Sequence, residues 1–376
     1  MRFFPRLGFY YFAAMKRKTL LLITAFLSTQ FISMAQEINW PSPDVALIYE
    51  QAKTNFNTGN FLQAINLFKQ AQQQAPNVME VYRDLGQAQV TGRKYADALS
   101  TIEPIIKQGV ADAITYDVAF NANMGLKEDK KAKSILMKGF SKFPNSGILF
   151  FDKGKLEEAD KDFEKALPCY VDGLKNDPAF HLNFLAAAKA ALRSAQAVPA
   201  IVYAETYINL ERNAAKTEEA KDVLMNAYRR IFIGVNKSTP TFGKPATALS
   251  PDLNFFETIQ QTYARFASIT NDGYTAENLT MLRARFIMEW SKSLHDKFPF
   301  PLFAFQEKMI KDGKFDIYNQ WLFGKLDNQK QYESWLSFHN TALQELEQWF
   351  ANNKFEITST DFYDGGANNE KSSRRK

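Results

Sequence analysis

The segment FLQAINLFKQAQQQAP, residues 61–76, decides the fold. Phe61, Ala64, Ile65, Phe68 and Ala71 recur three and four positions apart, the spacing of one helical face. Pro76 lies beyond that stripe, where a helix cannot continue. Upstream, Asn57-Thr58-Gly59-Asn60 breaks the pattern, and Tyr49, Ala52 and Phe56 before it again fit a helix. Two helices joined by a turn therefore occupy this stretch. Stepping from Ala64 in intervals of 34 residues lands on Ala98, Ala132, Ala166 and Ala200. A single helix has no reason to repeat at that period. Stacked helix pairs do, because a small side chain must stand wherever the next helix crosses closely.

Other columns keep the same register. With units starting at Val45, Met79, Ala113, Gly147 and His181, the fourth position holds Ile48, Tyr82, Tyr116, Phe150 and Phe184. The twenty-fourth holds Phe68, Ile102, Leu136, Tyr170 and Ala204. Pro76, Pro144 and Pro178 close three units, and Val110 stands at that place in a fourth. The second unit carries Tyr82-x-x-Leu85-Gly86 and the fourth Phe150-x-x-Lys153-Gly154. Over residues 45–214 this pattern resembles the tetratricopeptide repeat family. The resemblance implies an all-α, right-handed solenoid of helical hairpins that binds a protein or peptide in a concave groove, without catalysis or cofactor. The fifth unit departs from the pattern. It lacks the closing proline and carries Pro199 inside its second helix, which predicts a bend or a transition to another fold.

The flanking segments read differently. Residues 1–35 contain Arg2, Arg6, Lys16, Arg17 and Lys18 and no acidic residue. Met15-Lys16-Arg17-Lys18, the apolar stretch Leu20 to Ile32, and Ser33-Met34-Ala35 together read as a signal peptide starting at Met15 and cleaved before Gln36. Export to the periplasm or envelope of a Gram-negative bacterium is the expectation. The rival reading is a retained anchor, but the stretch is shorter than the roughly 20 residues that span a bilayer. Without the leader, 41 basic residues face 41 acidic ones, so the argument for nucleic acid from basicity disappears. Cys169 is the sole cysteine, so no internal disulfide can form, and it reads as a small buried residue.

Beyond the repeats, residues 215–233 read as a capping helix whose face carries Ala220, Val223, Leu224, Ala227 and Ile231, with Thr217 as its cap. Residues 234–251 lose periodicity and read as a linker. Residues 252–355 read as an aromatic-rich helical domain, with one helix from Pro251, another after Thr275, and a last one carrying Tyr332, Trp335, Leu336, His339, Leu343, Leu346 and Phe350. Phe355-Glu356-Ile357 fits a short extended piece. Residues 356–376 form a tail, disordered from Asp364 in this reading. Most aromatic residues here fit helical stripes and belong to a core. Phe298, Phe300, Phe303 and Phe305 do not form one stripe and, with Trp321 and Trp335, are candidates for an exposed aromatic surface.

Catalytic signals are scarce. His181, His295 and His339 lie far apart, and the sequence contains no His-Glu-x-x-His, Walker loop or Gly-x-Ser-x-Gly elbow. No metal set or cofactor site emerges. His295-Asp296 and the acids Glu157, Glu158 and Asp160 read as solvated surface. The resemblance points instead to the ninth position of each unit, which lines the family's groove. Here that column reads Lys53, Gln87, Asn121, Lys155 and Lys189. A polar row without acids suits the backbone or acidic groups of an extended peptide, although a merely solvated face explains it too. The family's chaperone-tail clamp needs Lys and Asn one turn apart in the first unit, where Tyr49 and Lys53 stand. The alternative function is a carbohydrate- or nutrient-binding accessory protein whose C-terminal rings stack on sugars. The repeat register itself is testable: Ala132→Trp should overpack a helix crossing and lower stability by about 1–3 kcal/mol or more. Thermal denaturation checks this, and an unchanged melting temperature rejects the register.

Overall fold

The computed structural model describes residues 38–233 and 253–363. The leader, the linker with Pro251, and the tail from Asp364 lie outside the described residues. The described chain is all-α and forms two compact units divided between Val81 and Tyr82.

In the first unit, α1 (Pro43–Asn57) pairs with α2 (Phe61–Gln74). Pro43 opens α1, where its missing N–H leaves nothing unpaired, and the Ser42 hydroxyl accepts from the Val45 N–H at 3.4 Å. The hairpin closes on Tyr49, which meets Phe68 edge-on at 5.7 Å and Trp40 at 4.7 Å. Ala52, Ala64 and Ala71 are fully buried between the helices.

The boundary falls inside α3 (Met79–Thr91), and the second unit takes in the rest of that helix from Tyr82, then α4 (Tyr95–Gln108), α5 (Ala113–Gly125), α6 (Asp129–Lys142), α7 (Gly147–Ala159), α8 (Phe163–Asn176), α9 (Leu182–Arg193), α10 (Ala197–Leu210) and α11 (Thr217–Tyr228). Consecutive helices from α4 to α11 pack on one another, and first helices also touch across hairpins, α5 on α7 and α7 on α9. Ala64, Ala98, Ala132, Ala166 and Ala200 are each the fourth residue of a second helix, and each is completely buried. The signature glycines have the same cause. A Cβ on Gly86 would lie 2.8 Å from the Ile102 side chain, and one on Gly154 would collide with the Tyr170 ring. The residue before each closing proline (Ala75, Phe143, Asp177) has left the helical region, as pre-proline sterics require.

Two expectations, one for the fifth unit and one for the capping helix, are corrected. Pro199 is the third residue of α10, where the N–H has no intrahelical partner, so the helix runs on through it to Leu210. Thr217 is the first residue of α11 and not its cap; its hydroxyl donates instead to the Glu211 carbonyl.

Beyond the linker come α12 (Phe255–Ala264), a 3₁₀ turn (Ala267–Thr270), α13 (Ala276–Ser293) and α14 (Pro301–Lys311). Then follow α15 (Phe315–Asn319), a π turn (Gln320–Gly324), α16 (Lys325–Asp327) and α17 (Gln329–Asn352), which is kinked at His339. The helix expected from Pro251 begins at Phe255, where Asn254 and Glu257 form a reciprocal capping box. Thr275 caps α13 as expected, accepting from the Asn278 N–H at 3.1 Å. The stretch at Phe355 is irregular rather than a strand.

These helices share one continuous hydrophobic core with the last hairpins, running from Ala166 to Tyr363. Phe362 lies 5.9 Å from the Phe184 ring of α9, and Tyr363 stacks on Phe255 at 4.3 Å. At the centre is a buried ion pair. The Arg283 guanidinium on α13 contacts the Glu205 carboxylate on α10, and both side chains are only 1% exposed. The Tyr318 hydroxyl donates to Glu205 at 3.0 Å, and Asn209 donates to that hydroxyl at 2.8 Å. Phe315, Phe323, Tyr318 and Tyr228 surround the guanidinium at 5.2–5.9 Å. Burial and the Glu205 charge push the Tyr318 hydroxyl well above its usual range.

The turn inside each hairpin carries a register of its own. Gly59, Arg93, Lys127, Lys161 and Ala195 all adopt φ between 58° and 82°. They also stand 34 residues apart. After all five of these turns the next N–H reaches back five residues, as Lys94 to Gln89 and Glu128 to Asn123. That is the Schellman closure of a helix end, which favours glycine. Only the first turn has one. Lys127→Gly or Lys161→Gly should therefore raise stability by roughly 0.5–1 kcal/mol, the relief of left-handed strain less the added freedom of the unfolded chain. Denaturant titration reads the gain; a loss of stability in both variants would contradict the strain argument.

Candidate protein-binding site

The ninth-position residues lie on first helices, as the register requires. In the first unit, Lys53 on α1 pairs with Glu50 one turn back at 3.1 Å and lies 5.3 Å from the Tyr49 ring centre. In the second unit, Gln87 on α3 is exposed, while Asn121 on α5, Lys155 on α7 and Lys189 on α9 are half-buried. None of the three lysines is a bare cation. Lys155 contacts the Asn121 side-chain oxygen and lies 3.4 Å from Asp152, and Lys189 meets Glu219 of α11 at 2.5 Å. A guest anion would have to displace carboxylates already in place. For the more exposed pairs that exchange costs little, since surface ion pairs contribute only about 0–1 kcal/mol.

Two carboxyl groups missing from the sequence reading complete the centre of the row. Asp117, one turn before Asn121, holds the Asn121 amide at 2.6 Å. Asp152, one turn before Lys155, is fully buried. The two carboxyls, on α5 and α7, are close enough for each to act on the other's charge. One oxygen of Asp152, Oδ2, finds no donor among the neighbouring groups. Burial pushes Asp117 above the usual carboxylate range. Burial and then the Asp117 charge push Asp152 well above it, against the pull of Lys155. Two carboxyls so placed cannot both ionise cheaply, so the pair retains a proton to higher pH than either alone. The signal was present in sequence as Asp117-x-x-x-Asn121 and Asp152-x-x-Lys155, acid and ninth-position residue on one helical face. A reading confined to a single column passes over it.

The aromatic surface does not form as expected. Phe298, Phe300, Phe303 and Phe305 are all buried. The first three crowd around Phe255 and Trp290, and Phe305 packs on Trp349, Phe350 and Phe355. Three-dimensional packing, not one helical stripe, brings these rings into the core. Trp321 and Trp335 are half-buried, and their ring faces are occupied. The Lys221 ammonium sits 3.7 Å from the centre of the Trp321 ring, and Tyr318 stacks nearby at 5.9 Å. Trp335 stacks between Tyr332 at 5.7 Å and His339 at 4.5 Å along α17. Phe338, beside the kink, is the ring that stands out in solvent, 80% exposed.

His339 donates from Nδ1 to the Trp335 carbonyl at 2.8 Å, and His181 pairs with Glu211 at 2.8 Å. Cys169 is buried, its Sγ 3.3 Å from the Lys165 carbonyl. No group of three or more His, Cys, Asp or Glu among the described residues is placed to hold a metal ion.

The residue columns and 34-residue hairpins make this an all-α repeat protein of the tetratricopeptide type in its fold. No protein-family model and no curated protein matches the chain. Among solved structures it is similar to a thermophilic TPR protein of Thermus thermophilus, with 16% identity over 49% of this chain and 99% of that one, at a TM-score of 0.43. It is also similar to a tetratricopeptide repeat protein of Parabacteroides merdae, with 12% identity over 67% of this chain and 92% of that one, at 0.36. A third likeness is to the MamA protein, with 18% identity over 46% of this chain and 94% of that one, at 0.33.

The carboxyl pair makes a pH prediction. Both folded-state values lie above the unfolded carboxylate value, so the native state binds the extra proton. The pair's contribution is fully present below about pH 4 and is lost as pH rises through the raised values. Asp152→Asn imitates the protonated form at every pH. It should raise the melting temperature above the carboxylate range and flatten that part of the pH profile. A variant whose profile overlays the parent's would refute the retained proton.

Proposed function

We propose that this chain is a non-enzymatic interaction scaffold that holds an extended segment of a partner protein along the first helices of its hairpins. The observation that carries the reading is the row Gln87, Asn121, Lys155 and Lys189, one polar side chain on each of four successive first helices. Its repeat of one residue per hairpin matches a ligand that runs across helices better than a compact molecule held by one of them. The row offers amide and ammonium donors, and the adjoining Asp117 supplies an acceptor. Lys53 occupies the same place in the first unit, already paired with Glu50. The resemblance to a family of protein-binding solenoids supports the reading by analogy. The lack of a recognisable nucleophile–base set in the sequence makes catalysis a poorer account.

The proposed location is the periplasm or envelope of a Gram-negative bacterium, after cleavage before Gln36. The basic start and apolar stretch of the first 35 residues support it. No helix among the described residues is long and apolar enough to cross a membrane.

Photo-crosslinking residues placed singly at Gln87, Asn121 and Lys189 test the groove in cells. Exposed Lys133 on the second helix α6 serves as control. The same partner band should appear from all three first-helix sites and not from Lys133. Labelling from Lys133 alone would move the interface to the other face. Mass spectrometry of the purified chain should give Gln36 as its amino terminus, and a chain beginning at Met15 would overturn the processing.

A further inference from the structure

We infer that Asp117 and Asp152 form a receptor for the positively charged side chain, Arg or Lys, of the segment that the row accommodates. The inference rests on the scaffold reading and deepens it by naming one feature of the partner. Charge balance is the first argument. Two carboxyls and one ammonium meet across α5 and α7, so the fully ionised cluster is short of one positive charge. Position is the second. Asp117 is partly exposed, whereas Asp152 is fully buried. A guest cation can therefore reach Asp117 while Lys155 continues to neutralise Asp152 at 3.4 Å. The third is the unmet acceptor. Asp152 Oδ2 is buried without a donor. A fully buried oxygen in that state is rare unless a proton, water or ligand answers it. The fourth is the wall of the site. Phe120 and Phe151 lie 5.4 and 5.6 Å from the Lys155 ammonium. Rings at that distance favour cations and lower the local dielectric, which strengthens a charge pair.

An anionic guest fits less well. Lys155 is already held by Asn121 and Asp152, and a second negative charge would face Asp117 directly. The groups that set the local charge are Asp117 on α5, Asp152, Lys155 and Glu158 on α7, and Tyr170 on α8, the last in contact with Glu158. Where the pair is protonated, the missing positive charge is that proton, which the raised carboxyls hold to higher pH. A basic side chain displaces that proton, so its binding must weaken as pH falls. The step forms one ion pair at Asp117 and releases one proton to solvent.

The test uses nine-residue acetylated, amidated peptides of Ser and Ala with Arg, citrulline or Glu at the centre. Their binding to the full chain is followed by amide shifts in NMR titrations at pH 5 and pH 8. The Arg peptide should shift resonances of α5 and α7 at pH 8 and bind about tenfold more weakly at pH 5. Citrulline keeps the shape without the charge and should lose the interaction, as should Glu. Asp152→Asn, nearly isosteric, and Asp117→Asn should each abolish the preference for Arg while circular dichroism stays unchanged. Equal binding of the three peptides, or full Arg binding by Asp152→Asn and Asp117→Asn, would overturn the inference. So would the same shifts with millimolar calcium alone, since the pair would then serve a metal. If photo-crosslinks form from Gln87 and Lys189 but the Arg peptide does not bind, this inference falls and the scaffold reading stands. If neither occurs, both fall.

Discussion

The close approach of helices sets the terms for everything else in this protein. A second helix can lie against its partner and the neighbouring hairpin only where side chains at the crossing are small. Hence Ala98, Ala132, Ala166 and Ala200 are completely buried at the same helical position, and so is Ala64 in the first unit. Gly86 and Gly154 answer the same demand on the first helices, since a methyl group there would meet Ile102 or Tyr170. With the crossings fixed, the large residues Tyr116, Leu136, Tyr170 and Phe184 fall into the gaps between helices. A hairpin of this size has too little interior to be stable alone, so each gains its stability from coverage by the next.

A stack of this kind ends with an apolar face still uncovered. Here α11 packs on α10, and the C-terminal helices extend the same core. The join is not purely hydrophobic. Arg283 and Glu205 are sealed inside it with Tyr318, Asn209 and Asn319 as hydrogen-bond partners. Desolvating such a pair offsets most of its attraction, so its contribution to net stability is small. Removing either partner alone is another matter, because an uncompensated buried charge costs about 3–5 kcal/mol. The pair therefore joins α13 to α10 by a contact that is costly to break and contributes little when whole. The described residues from α12 to Tyr363 thus share the core of the last repeats rather than forming a separate centre.

The repeat was legible because its cause is local and recurs. Small, large and helix-ending residues occupy fixed columns, and a column can be counted. The left-handed turns were not legible because Arg93, Lys127, Lys161 and Ala195 carry no chemical mark of the conformation. The packing around them imposes it. The burial of Phe298, Phe300, Phe303 and Phe305 was hidden for a related reason. The first three converge on Phe255 and Trp290, and Phe305 on Trp349, Phe350 and Phe355, and a one-dimensional stripe does not record convergence. The capping of α12 and the kink of α17 at His339 likewise depend on a few atoms rather than on a pattern.

The polar row shows the same boundary between what a column records and what a fold decides. Read down the ninth position, it is cationic and free of acid. In space, each lysine has been answered by a carboxylate from its own helix or from the one two further on: Glu50, Asp152 and Glu219. A groove so neutralised does not act as a long-range attractor of anions, because charges paired at contact distance cancel beyond the Debye length of about 8–10 Å. Its selectivity must come from short-range donors, acceptors and unmet charges. In the second unit one such imbalance is at Asp117 and Asp152, two groups that no reading of a single column would place together.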